Sequence, residues 1–162
     1  MSKKTKVVSI ILSCVLVFII GLTALIFTPY KLIIKNDKTG ERICAFTVYN
    51  DTIFGVEFIH SVNNTPVKDE YIIENNIIKA YKTTYRNFGA GVQTELNEGE
   101  TLSYDDDGNM IITGFSKTYS SGELTYVVGT VSDHILFING EEISLRDLCG
   151  KNTRISFTLS KI

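Results

Sequence analysis

Tryptophan is absent from this chain of 162 residues, and proline and cysteine are scarce, with two and three residues respectively. The formal net charge is only -2, and lysine and arginine form no run with interleaved aromatic residues. The sequence therefore lacks the basic surface that is typical of a nucleic-acid-binding protein. Cys44 and Cys149 have neither a C-x-x-C spacing nor a nearby histidine, so no zinc site is indicated. We predict no metal and no cofactor.

The N-terminal segment is mostly apolar and carries no charged side chain over residues 7–27. A bilayer core of about 30 Å is crossed by roughly 20 helical residues. Three lysines precede the segment, and positive charge favours the cytoplasmic side. We therefore predict a cytoplasmic head over residues 1–6, a single-pass transmembrane helix over 7–27, and a domain outside the cell membrane over 30–162.

Two other interpretations of this segment are less favoured. A cleaved signal peptide has an apolar core of about 7–15 residues and ends in a small-x-small site, and this segment has neither feature. Lipidation at Cys14 would leave a long apolar run after the modified cysteine. We prefer an uncleaved membrane anchor.

The rest of the chain alternates short β-rich runs with turn signals. The Asn139-Gly140 pair predicts a type I′ hairpin, because both central residues of that turn need positive φ. The Asp105–Gly108 stretch (DDDG) is interpreted as a solvated hairpin turn. Such spacing predicts an all-β fold, an antiparallel sandwich or barrel, after the transmembrane helix. Cys44 and Cys149 are interpreted as buried apolar thiols, and a disulfide between them stays open.

The run TIFGVEFIHSV carries the most information, because His60 continues the apolar face of its strand. If residues 63–66 form the hairpin turn, either Asp69 or Glu70 lies opposite His60. A carboxylate there would fix the tautomer of the imidazole. The pair is either a structural hydrogen bond that locks the hairpin or part of a ligand site.

A ligand site would bring the hairpin against a glycine-containing loop whose backbone N–H groups bind an anion. The candidate ligand- or partner-binding residues are His60, Ser61, Asp69, Glu70, Phe88, Gly89, Ala90 and Gly91. No catalytic residue is assigned. Adjacent strand residues point to opposite faces, so Ser61 and His60 do not form a nucleophile and its base. His134 is interpreted as a surface or strand-end residue.

Two segments, FIHSVNNTPVKDEY and YRNFGAGV, resemble the bacterial family called domain of unknown function 1850. The resemblance rests on His60, Ser61, Val62, Pro66, Val67, Glu70, Phe88, Gly89, Ala90 and Gly91. It implies no established activity. It does imply association with tripartite ATP-independent (TRAP) transporters that use a TAXI-class solute-binding protein.

Three hypotheses follow for the function. The first is an accessory or binding module of such an uptake system, whose partner is a TRAP membrane subunit or a solute-binding protein. The second is a structural envelope protein without a ligand, in which the His60 motif locks a hairpin. The third is an envelope enzyme in which His60 is the general base and Glu70 its orienting acid. We rank them in that order.

Overall fold

The computed structural model describes residues 9–18, 21, 29–62, 64–86 and 95–161. Within these ranges the chain forms two short helices and twelve strands. Their bounds are α1 (residues 9–18), β1 (Tyr30–Asn36), β2 (Arg42–Val48), β3 (Ile53–Ile59), β4 (Pro66–Glu74), β5 (Ile77–Tyr85), β6 (Thr101–Tyr104), β7 (Met110–Thr113), β8 (Thr118–Tyr119), β9 (Leu124–Val127), β10 (His134–Ile138), β11 (Glu141–Ser144), α2 (Leu145–Cys149) and β12 (Arg154–Lys161).

The strands form two antiparallel sheets, an arrangement consistent with a β-sandwich. The smaller sheet has the order β2-β1-β12-β9, and the larger has the order β11-β10-β3-β4-β5-β7-β6, with β8 beside β5. The inner faces of the two sheets meet at the rings of Phe54 and Phe157, whose centroids are 5.5 Å apart.

Alternation of buried and partly buried residues along strands such as β1 contributes most of the core. In β1, Tyr30, Leu32 and Ile34 are buried and the residues between them are only partly buried. Because strand side chains alternate between faces, each such strand buries every second residue. The buried core cluster consists of Tyr30, Leu32, Ile34, Val48, Phe54, Val56, Tyr71, Ile73, Ile78, Leu124, Val128, Leu136, Ile138, Leu145, Ile155, Phe157 and Leu159.

Two of the predicted turns are confirmed. Asn139 and Gly140 join β10 to β11 with φ values of 51° and 80°, the left-handed region that a type I′ turn requires. Asp105 joins β6 to β7, and its Oδ1 accepts hydrogen bonds from the backbone N–H groups of Asp107 and Asn109. These bonds explain why an acidic residue begins this turn.

The predicted transmembrane helix is corrected by the structure. No helix in the described ranges is both long enough and apolar enough to cross a membrane. The described part of α1, residues 9–18, covers ten residues, and ten helical residues rise about 15 Å, whereas the bilayer core is about 30 Å thick. The remainder of the predicted span, residues 7–8, 19–20 and 22–27, lies outside the described residues.

Candidate ligand-binding site

The β3–β4 hairpin has a different register from the one expected around His60. The observed pairs include Phe58 with Val67 and Ile59 with Pro66, so the connecting segment runs over residues 60–65. Asp69 lies opposite Val56, and not opposite His60. The prediction that Asp69 or Glu70 faces His60 is therefore wrong.

His60 begins this connection, and backbone hydrogen bonds hold its main chain on both sides. Its N–H donates to the carbonyl of Thr65 at 2.9 Å, and its own carbonyl accepts from the N–H of Asn64 at 2.9 Å. The imidazole Nδ1 accepts from the backbone N–H of Val62 at 3.3 Å. His60 is half-buried, whereas Ser61 and Val62 are exposed. The side chain thus sits at the end of the sandwich instead of in its core.

His134, the first residue of β10, lies beside this turn. It pairs with Phe58 across the strands, and their rings stack with centroids 5.2 Å apart. Its Nδ1 accepts a hydrogen bond of 3.1 Å from the backbone N–H of Gly129. A Cβ added at Gly129 would lie 2.2 Å from the carbonyl oxygen of Ser132, so only glycine fits this tight loop.

An open cleft of about 380 Å³ separates the β3–β4 connection from the β9–β10 loop (residues 128–133). This volume falls in the range of small-ligand sites. Among the described residues, none of the side chains that line the cleft is acidic. The cleft is lined by Phe58, Ile59, His60, Ser61, Gly129, Thr130, Val131, Ser132 and His134.

The hydrogen bonds of the two histidines determine what the cleft offers to a ligand. In each imidazole, Nδ1 already accepts a backbone N–H group, so the neutral ring carries its proton on Nε2. Burial lowers the pKa of His134, and the neighbouring Arg146 lowers it further, against an opposing effect of Asp133. The cleft therefore combines imidazole N–H donors with the hydroxyl groups of Ser61 and Thr130.

Helix α2 supports the β9–β10 loop from behind. The Asp133 carboxylate accepts from Ser144 Oγ at 2.5 Å and from the backbone N–H of Arg146 at 3.0 Å. Burial acts to raise the pKa of Asp133, but its hydrogen bonds outweigh that effect and lower it. The Arg146 guanidinium donates to the carbonyl of Gly129 at 3.3 Å. These contacts fix the backbone that presents the lining residues.

Asp69 belongs to a polar network on the inner face of the larger sheet. Its carboxylate accepts from Thr83 Oγ1 at 2.9 Å and from the Tyr126 hydroxyl at 3.1 Å. The hydroxyls of Tyr126 and Tyr71 are 2.5 Å apart. Burial raises the pKa of Asp69, although the two donated hydrogen bonds act in the opposite direction. Burial likewise raises the pKa values of Tyr71 and Tyr126, and the Asp69 charge adds to that shift.

This network approaches the other histidine, His134. The edge of the Tyr126 ring faces His134 with centroids 6.2 Å apart, while its hydroxyl bonds Asp69. A carboxylate and an imidazole are thus linked through a tyrosine ring. The sequence contained no signal for this, because the two residues are joined only by the fold.

Glu70 points to the outer face of the same sheet. It forms an ion pair of 2.7 Å with Lys82 and lines a separate groove of about 180 Å³ beside Gly55. Glu70 therefore contributes nothing to the His60 cleft. Of the remaining predicted site residues, Phe88, Gly89, Ala90 and Gly91 lie outside the described residues.

Sequence reasoning identified two of the cleft residues and missed others. His60 and Ser61 both line the cleft, whereas His134, Thr130 and Ser132 were not predicted as site residues. Over the parts of the chain that the structure describes, no three His, Cys, Asp or Glu side chains converge so as to hold a metal ion.

The described chain is thus an antiparallel β domain with a donor-rich cleft at one end. A family model described as "Domain of unknown function (DUF1850)" matches residues 54–145, more than half of the sequence. The chain therefore belongs to this family. The matched region contains both sides of the cleft. No curated protein and no solved structure matches the chain.

Proposed function

We propose that this chain is a binding module whose cleft between His60 and His134 receives a small organic carboxylate, as an accessory of a TRAP-type solute uptake system. The observation that carries the proposal is that both imidazoles accept a backbone hydrogen bond at Nδ1. Both rings line one cleft with Nδ1 occupied by a backbone N–H group, so each presents Nε2–H as a donor.

Hydrogen-bond chemistry favours a carboxylate as the ligand. An ionised carboxylate only accepts hydrogen bonds. The cleft offers imidazole and hydroxyl donors, and the part of its lining that the structure describes contains no acidic side chain. Asp133, the acid nearest to it in the chain, already accepts bonds from Ser144 and Arg146. Phe58, Ile59 and Val131 supply apolar lining for the carbon part of such a ligand.

The transport role comes from the family resemblance. That resemblance implies company with TRAP transporters that use TAXI-class solute-binding proteins, and the proposed partner is such a binding protein or a TRAP membrane subunit. An extracytoplasmic location belongs to the same proposal, because these solute-binding proteins act there. A module that binds a carboxylate suits a system that handles small solutes.

A structural role is the second candidate, and it has its own support. The His60 main chain makes two hydrogen bonds within the β3–β4 connection, which is what a residue that only closes a turn would do. The enzyme hypothesis has less support, because Glu70, its proposed orienting acid, pairs with Lys82 on the outer face.

A thermal-shift screen with small mono- and dicarboxylates tests the ligand. Binding to the native state raises the melting temperature as the free ligand exceeds its dissociation constant. We expect a concentration-dependent rise for the parent protein and for Glu70→Gln, and none for His60→Ala. Equal shifts in all three proteins would contradict binding in this cleft.

Co-purification tests the partner. The tagged chain is produced in its native host, membranes are solubilised in mild detergent, and the captured proteins are identified at matched abundance for the parent, His60→Ala and Glu70→Gln. Enrichment of a TRAP subunit or solute-binding protein that His60→Ala alone loses is the expected result. No enriched transport component in any sample would contradict the accessory role and leave the ligand result to stand separately.

A further inference from the structure

The inner part of the His60–His134 cleft lies between the two sheets. Phe58 shares the inner face of β3 with the buried Phe54 and Val56, because alternate strand residues point to the same face. His134 pairs with Phe58 and stacks on its ring, so it lies on that face too. An imidazole therefore stands at the inner end of the cleft.

The outer part of the cleft is apolar. Ile59 follows Phe58 in β3 and so points to the opposite face of the sheet, where it is 37% exposed. Val131, in the β9–β10 loop, is 94% exposed. Ser132 Oγ lies 3.5 Å from the carbonyl oxygen of Ile59, so this loop stays beside the end of β3. Two exposed apolar side chains thus line one cleft, where a carbon chain would shield them from water.

A positive charge lies behind the histidine side of the cleft. The Arg146 guanidinium donates to the Gly129 carbonyl, and the N–H of Gly129 donates to His134 Nδ1. Burial lowers the pKa of His134, Asp133 opposes this effect, and Arg146 lowers the pKa further, as a nearby positive charge does. Among the described residues, no lysine, arginine, aspartate or glutamate side chain lines the cleft itself. One negative group is therefore best placed at the histidines, and the described outer part offers no partner to a second charge.

We propose that the cleft binds a monocarboxylate whose carboxylate meets His60 and His134 and whose hydrocarbon tail lies on Ile59 and Val131. This inference rests on the proposed function, because it specifies which carboxylates the same cleft receives. Val131 is then the residue that determines specificity, since it is the most exposed apolar side chain of the described lining.

The same contacts disfavour a ligand with a second charge. A carboxylate at the far end of an extended ligand would lie against Ile59 and Val131 and lose water without gaining a donor. An α-ammonium group would lie among imidazole and hydroxyl donors, without a carboxylate acceptor in the described lining. We expect each of these changes to weaken binding at least tenfold.

Isothermal titration calorimetry of the full chain with acids of matched carbon number tests this specificity. The probes are hexanoate, hexanedioate and 2-aminohexanoate, with butanoate as the shorter monocarboxylate. The dissociation constant of hexanoate should be at least tenfold lower than those of hexanedioate and 2-aminohexanoate. Butanoate should bind up to about 16-fold more weakly than hexanoate, because each methylene removed from water contributes up to about fourfold.

Val131→Thr tests the residue that is assigned to the tail. The substitution keeps the shape of the side chain and replaces a methyl with a hydroxyl, so it should narrow the gap between hexanoate and butanoate severalfold. Because Val131 is exposed, the melting temperature of the free protein should change little. Val127→Thr is the matched control, since Val127 is 50% exposed on β9 but does not line the cleft, and it should keep the full gap.

The possible failures of this inference and of the proposed function are distinguishable. The inference is overturned if hexanedioate or 2-aminohexanoate binds as tightly as hexanoate, or if Val131→Thr keeps the full gap between hexanoate and butanoate. Carboxylate binding that His60→Ala abolishes but that lacks this selectivity would leave the proposed ligand class standing. If none of the four acids shows saturable binding, or if His60→Ala binds them as the parent does, both are overturned.

Discussion

The interior network around Asp69 and the cleft around His60 use the same types of residue in opposite ways. In the network, hydroxyl groups meet the carboxylate on the inner face of the larger sheet, and each donor has its acceptor. In the cleft, the imidazole Nδ1 atoms are bonded to the backbone, while the opposite edges of the rings are the donors that we propose for a ligand. A satisfied polar group stabilises the fold, whereas a group fixed on only one side is prepared for binding.

The largest effect that separates the two regions is expected from Asp69→Ala. The substitution removes the acceptor of Thr83 and Tyr126, and partly buried donors without an acceptor are costly. The free energy of unfolding should fall by about 1–3 kcal/mol, measured by urea denaturation. Glu70→Gln is the control, because Glu70 is adjacent in sequence but pairs with Lys82 on the outer face. This substitution should lower the free energy of unfolding by less than about 1 kcal/mol. Equal losses in both variants would contradict the assignment of Asp69 to the stabilising network.

The pH dependence of stability sharpens the same comparison. Burial raises the pKa of Asp69 in the folded state above its ordinary value of 3.8, so the folded protein holds this proton more tightly than the unfolded chain. Its contribution to stability is therefore full below pH 3.8 and is lost as pH rises through the folded pKa. The stability of the parent relative to Asp69→Asn should decline over that interval and then become constant. A relative stability that rises with pH would contradict the shift.

The two histidines of the cleft should differ from each other. His134→Ala removes a ring that stacks on Phe58 and faces Tyr126, and we expect a loss of about 1–2 kcal/mol. His60→Ala should change the free energy of unfolding by less than about 0.5 kcal/mol, because its side chain lies at the end of the sandwich. Denaturation curves of both variants check this. A larger loss for His60→Ala would support the structural hypothesis for its motif.

The faces of the strands could be predicted from the sequence, but the register of the key hairpin could not. Residues 63–66 were expected to form the turn, yet Pro66 is the first residue of β4 and pairs with Ile59. A strand tolerates proline at its first position. The presence of a proline therefore did not show whether residue 66 belongs to the turn or to β4. The turn lies two residues earlier in the chain than expected, so the two strands are shifted by four residues relative to each other. Because side chains repeat every two residues, the faces were preserved, but Asp69 lies about 13 Å along the strand from the level of His60.

The composition of the cleft depended on contacts between distant parts of the chain. His60 and Ser61 could be identified because they stand together beside an apolar strand. His134 and the β9–β10 loop meet them only because β10 pairs with β3, and no local pattern encodes that pairing. The apolar N-terminal segment predicted a transmembrane helix, but no helix among the described residues is long and apolar enough to cross a membrane.

The most direct test is a titration of ¹⁵N-labelled protein with the small carboxylate that gives the largest thermal shift, followed by amide NMR. We expect saturable shifts for the amides of residues 60–62 and 129–134, which His60→Ala abolishes and Glu70→Gln retains. Saturable shifts centred elsewhere, or unchanged binding by His60→Ala, would contradict the claim that this cleft is the binding site.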